Sequence, residues 1–201
     1  GDPAYKDVFV QDVSADVRDN DEADIAIILD VGPLRLFEGA VNDTSKALTS
    51  LLVNSYTVVL TRAPEETVLV SAVPVALRES ALAAGGKGLA LSTVKIVDGA
   101  DIGLASEEGI TLTFTRSNWF IPQRVYVYAP QDALAEGTNG FNIVHRTQQG
   151  TSTKDAGAYD GVAVLGIVAT VVDDDAAAVV IAPYDNAASG GITNGLDDVY
   201  V

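Results

Sequence analysis

In "VVDDDAAAVVI" (171–181), Asp173, Asp174 and Asp175 stand side by side between two apolar, strand-like runs. On a straight strand, neighbouring side chains point to opposite faces. At a strand end, where the chain turns, three carboxylates can converge instead. Carboxylates about 4 Å apart repel by about 1 kcal/mol even in water and by more near protein, so a positive charge should offset them. No Lys, Arg or His follows Lys154. A calcium ion suits the need, because it takes roughly six to eight oxygens at about 2.4 Å and accepts irregular geometry. Magnesium demands stricter octahedral geometry and zinc prefers nitrogen or sulfur. Other acids stand in turn contexts suited to the same site. Glu38 lies in "FEGA" (37–40), Asp132 and Glu136 in "APQDALAEG" (129–137), and Asp98 and Asp101 in "IVDGADIG" (96–103). For each of these taken singly, a solvated acidic loop is the competing reading.

The composition agrees with a globular β-protein. Of the 201 residues 48% are hydrophobic, mostly Val, Ala, Ile and Leu, with Thr and 18 Gly between them. No apolar run is long enough for a membrane helix. Twelve Lys plus Arg stand against 28 Asp plus Glu, which disfavours nucleic acid as a partner, since phosphate neutralisation needs a basic face. Twenty of those acids are Asp, which suits turns and calcium loops better than helices. With no Cys, disulfides, thiolate metal sites and cysteine nucleophiles are excluded.

The elements that must position the acids read as strands. Period-2 alternation puts Tyr56, Val58 and Leu60 on one face, and likewise Ile110, Leu112 and Phe114, then Val125 and Val127, then Phe141, Ile143 and His145. Apolar runs at 162–172 and 177–182 read as buried strands. One short helix is expected around 75–84, in "VALRESALAAGG" (75–86), stopped by Gly85–Gly86. The fold class is all-β, an antiparallel sandwich. There is also an internal repeat. "VSADVRDNDEADIAII" (13–28) lies over "IVATVVDDDAAAVVIA" (167–182) at an offset of 154, with six identities in sixteen that include Asp19 on Asp173 and Asp21 on Asp175. Asp19 and Asp21 thus form a second, partial acidic cluster. The expected organisation is a closing strand and linker of a preceding repeat (or a donor strand) over 1–22, one sandwich over 23–175 and the start of another repeat over 176–201.

Two longer stretches carry a family resemblance. "LTFTRSNWFIPQRVYVYAPQDALAEGTNGFNIVH" (112–145) and "DAGAYDGVAVLGIVATVVDDD" (155–175) resemble the Calx-beta-like repeats of large bacterial surface proteins. The shared series runs Asn118–Trp119, Pro122–Gln123, Asp132, Glu136–Gly137, His145, Asp155 or Asp160 around Tyr159 and Gly161, then Asp173–Asp175. "SYTVVLTRAPEETVLVSAVP" (55–74) matches the first hairpin. The resemblance implies an immunoglobulin-like sandwich with Ca2+ bound at one end by Glu38, Asp132, Glu136, Asp173, Asp174 and Asp175. Asp98, and after it Asp101, lie in a loop longer than the usual pattern. The stretch 75–108 departs from that pattern and reads as an inserted, module-specific surface.

Duller readings hold for several other features. Trp119 suits the cover of a sandwich end better than a glycan platform, and the lone His145 suits a structural hydrogen bond. "GGKG" (85–88) lacks the Ser or Thr of a phosphate loop, Asn42 heads a glycosylation sequon, and no Gly-x-Ser-x-Gly or His-Glu-x-x-His occurs. A glycosidase pair needs one acid kept protonated in an apolar pocket, and Asp173–Asp175 are too crowded for that. No enzyme is expected. The expected function is a calcium-stiffened structural or adhesive module of an extracellular, cell-surface protein, its partners being adjacent repeats. Two alternatives are a subunit that assembles with identical copies by strand addition through 7–17, and a carbohydrate-binding module for surface glycans.

Overall fold

The computed structural model describes residues 22–29, 32–39, 54–96, 104–150 and 157–175. Among these residues, nine strands and one short helix follow in order: β1 (Ile25–Leu29), β2 (Leu34–Phe37), β3 (Ser55–Leu60), β4 (Val68–Pro74), α1 (Glu79–Ala83), β5 (Ala90–Ser92), β6 (Ile110–Phe114), β7 (Gln123–Tyr128), β8 (Thr138–Gln149) and β9 (Ile167–Val172). They form a sandwich of two sheets, ordered β1-β3-β7-β5 and β2-β9-β8-β4-β6. The all-β class read from alternation is therefore the observed one. The inward faces are those the alternation picked out. Tyr56, Val58 and Leu60 of β3, Leu112 and Phe114 of β6, Val125 and Val127 of β7, and Ile143 of β8 are all buried in one core.

Three features differ from the sequence expectation. The first is that one pairing is parallel. At Gly32 (φ 59°) and Pro33 the chain leaves the edge of the first sheet. It re-enters as β2, parallel to β9, with Phe37 opposite Val172. A proline just before an edge strand costs no ladder bond. The second concerns 162–172, of which only Ile167–Val172 is strand. The ladder with β8 stops at Ile143–Ile167. Further out, side chains replace it, with the Gln149 N–H on Asp160 Oδ1 and the Tyr159 N–H on Gln149 Oε1. The third is the insertion, which is built into the core. β5 adds to β7, Leu89 and Leu91 are buried, and the Ile96 N–H reaches Tyr128 Oη at 2.7 Å. Helix α1 is shorter than the 75–84 stretch. Arg78 is extended at its N-terminus, and Gly85 (φ 95°) ends it, with the Gly86 N–H returning to the Ala81 carbonyl. The strand expected at 177–182 lies outside the described residues, as do the boundary segments 1–21 and 176–201.

The motif residues of 115–123 have structural work. Asn118 Oδ1 accepts the Thr115 N–H, closing the turn, and Gln123 Nε2 donates to the Thr113 carbonyl. Trp119 packs against the core and sets its ring edge-to-face on Phe120, so it covers a sandwich end. His145 joins the two sheets, its Nε2 lying 2.9 Å from Tyr56 Oη in the core. Burial holds its imidazole down to about 4, against a smaller raising influence of the nearby Leu165 backbone.

Because the folded imidazole titrates below its unfolded counterpart, this group's stabilising share is present above the unfolded pKa of about 6.5 and is lost as pH falls toward 4. The loss should be on the order of 3 kcal/mol, by linkage. The chain has one His, so a proton NMR titration follows a single imidazole. We expect its midpoint below pH 5, with Tyr56→Phe moving it; a midpoint near 6.5 would contradict the buried pair.

Candidate metal centre

The parallel register puts Phe37 beside Val172, so the next residues, Glu38 and Asp173, emerge side by side at one end of the sandwich. Their backbone is fixed there. The Glu38 N–H donates to the Val172 carbonyl at 2.9 Å, and the Gly39 N–H to the Ala129 carbonyl at 3.0 Å. Asp173 then turns the chain. Its Oδ1 accepts the Asp175 N–H at 2.6 Å, and its Oδ2 accepts the N–H groups of Glu136 and Gly137. This Asx-type turn lets three consecutive Asp converge.

Glu38, Asp173, Asp174 and Asp175 each present a carboxylate oxygen, all within 4.8 Å of one another. Glu38 and Asp173 are buried, at 7% and 5% exposure. At such spacing, like charges repel by about 4 kcal/mol per pair near a protein surface. The effect is visible in protonation. Burial first, and then the charges of Asp132, Asp173 and Asp174, raise the Glu38 pKa against the lowering pull of the Asp132 N–H. Glu136 is raised by desolvation and by Asp132 and Asp173; Asp175 is raised by desolvation, then by Asp174, Asp173 and Asp132. A carboxyl with a raised folded pKa stabilises the fold only in its protonated form, so that contribution is lost as pH rises through the folded pKa. Near neutrality the four groups fit a cation. An all-oxygen donor set suits a hard one.

The other expected ligands divide. Asp132 is in the same region, outside the group of four, and its oxygens accept the Leu134 N–H on Oδ1 at 2.7 Å and the Lys87 N–H on Oδ2 at 2.6 Å. Its own N–H holds Glu38 Oε1 at 2.6 Å. It therefore organises the site from beside it. Glu136 contributes its N–H to Asp173 and lies within electrostatic reach, outside the group of four. Asp98, Asp101, Asp19 and Asp21 lie outside the described residues.

Sequence reasoning missed Gln131, Gly39 and Lys87. Gln131 Nε2 bridges the Asp132 carbonyl and Asp174 Oδ1, at 3.1 and 2.8 Å. A Cβ on Gly39 would fall 1.8 Å from Gln131 Oε1, so the missing side chain makes room for that bridge. Lys87, from the insertion, puts its Nζ 2.8 Å from the Gln131 carbonyl. The Gly after Glu38 and the Gln before Asp132 were the available signals.

No protein-family model and no curated protein matches the chain. The Calx-beta resemblance stands on its motifs alone.

Gly39 and Gly137 both have positive φ, 61° and 71°, but only Gly39 would meet a side chain. Gly137→Ala should cost about 1 kcal/mol for backbone strain alone. Gly39→Ala should cost more in urea unfolding, because Gln131 must leave Asp174. Equal losses would contradict the packing described.

Proposed function

We propose that the chain is a calcium-binding structural or adhesive module of a secreted, multi-domain surface protein of the Calx-beta-like kind. The carrying observation is the convergence of Glu38, Asp173, Asp174 and Asp175 within 4.8 Å, two of them buried. Calcium is the preferred ion because the donors are oxygens on a turn and a strand end, an irregular set that an octahedral magnesium site would not favour. The role is mechanical. The ion offsets the repulsion, ties the end of β9 to the end of β2, and so holds the place where the chain runs on from Asp175 into 176–201. Removing the ion restores the repulsion and loosens that end. In a tandem protein the same ion would limit bending between neighbouring units.

The test is a thermal melt with calcium and with excess chelator at one ionic strength. Binding to the folded state alone adds about 2.7 kcal/mol at a hundred times Kd, which for a domain of this size is a rise of roughly 5–10 °C. Asp174→Asn should shrink the rise while leaving the chelated melt no lower. An unchanged melt in saturating calcium would refute the reading.

A further inference from the structure

Two buried polar atoms lie close together on the inner face of β8. Among the described residues, His145 Nδ1 and Thr147 Oγ1 are side-chain atoms sealed from solvent without a hydrogen-bond partner. His145 as a whole is 6% exposed, and its other nitrogen lies 2.9 Å from Tyr56 Oη. A buried polar atom left unpaired keeps the full cost of its lost hydration, and an internal water is the usual remedy.

The side chains beside this pair on β4 are apolar. The β4 register sets Ala72 beside His145 and Val70 beside Thr147, and neither side chain donates or accepts. Tyr56 stands edge-on to the imidazole and is engaged with Nε2. On the other flank, the ladder with β9 ends at Ile143–Ile167. There the chain lifts away from β8, with Leu165 76% exposed. A groove of about 230 Å³ is lined by Val164, Leu165 and Gly166 on this side and by Ile25, Ile27 and Leu29 of β1 on the other. The Leu165 backbone is also near enough to the imidazole to act on it. Room and polar groups therefore meet at Leu165, and these are the two things a buried water needs.

The spacing fits one water. Residues two apart on a strand share a face, with Cα atoms about 6.7 Å apart. A water with hydrogen bonds of about 2.8 Å on either side spans up to about 5.6 Å. Side chains that lean toward each other close the difference.

We propose that one internal water bridges His145 Nδ1 and Thr147 Oγ1, completing a polar chain from Tyr56 through the imidazole to Thr147. Water suits both atoms because it donates and accepts, whichever tautomer the Tyr56 bond selects. The chain runs from β3 of one sheet to β8 of the other, so the water helps to fix the imidazole that joins them. The inference is independent of the metal reading.

Oxygen-17 magnetic relaxation dispersion of the full chain tests it, because it counts waters held inside a protein and is blind to exchanging hydroxyl protons. Thr147→Val keeps the side-chain shape and should hold one such water fewer than wild type; Thr147→Ser should hold the same number. The chain has one His, so nitrogen-15 spectra follow its two ring nitrogens without ambiguity. The Nδ1 resonance should move in Thr147→Val and stay in place in Thr147→Ser. An equal water count in wild type and Thr147→Val, or an Nδ1 resonance that Thr147→Val leaves unmoved, would overturn the proposal. A wild-type chain that holds no long-lived internal water would overturn it without any variant.

Discussion

The parallel pairing of β2 with β9 is the constraint on which the acidic end depends. It brings the last residue of each strand into register, Phe37 with Val172, and so delivers Glu38 and Asp173 to one point. An antiparallel pairing would have sent those two ends to opposite poles of the sandwich. The loop 129–137 closes over this point, and its conformation is set by the same carboxylates. Glu38 accepts the Asp132 N–H, and Asp173 accepts the Glu136 and Gly137 N–H groups.

These backbone bonds explain how a fold can tolerate such crowding. Each donated N–H lowers the cost of an ionised carboxylate, and Asp173 takes three. Glu38 accepts the Asp132 N–H, and burial and repulsion still raise its pKa against that bond. The remaining tension is what a cation would relieve. The insertion shares in this arrangement, because Lys87 fastens both Asp132 and the Gln131 carbonyl. Residues that are remote in sequence thereby support the groups that would hold an ion.

Much of the fold was legible because its signals are local. Alternation identified the buried face of β3 at Tyr56, Val58 and Leu60 and of β7 at Val125 and Val127, since period 2 is set by the strand itself. Asp173–Asp175 were legible as a turn for the same reason. The failures are non-local. Nothing near Leu34 announces a parallel partner some 135 residues away. Val162–Gly166 looks like strand, but the ladder with β8 ends at Ile143–Ile167, and further along β8 it is Gln149 that is held, by Tyr159 and Asp160. Asp132 was legible as an acid of this loop, but the bonds by which its oxygens hold the Leu134 and Lys87 N–H groups were not. No short pattern around Asp132 foretells a donor from the insertion.

The central claim is that the carboxylates at the ends of β2 and β9 capture a calcium ion. Isothermal titration calorimetry of the chelator-stripped chain with calcium, repeated with Glu38→Gln and in magnesium, addresses it directly. The account predicts saturable calcium binding, weakened at least tenfold by Glu38→Gln and much weaker for magnesium. Absent binding, or calcium affinity that Glu38→Gln leaves unchanged, would contradict it.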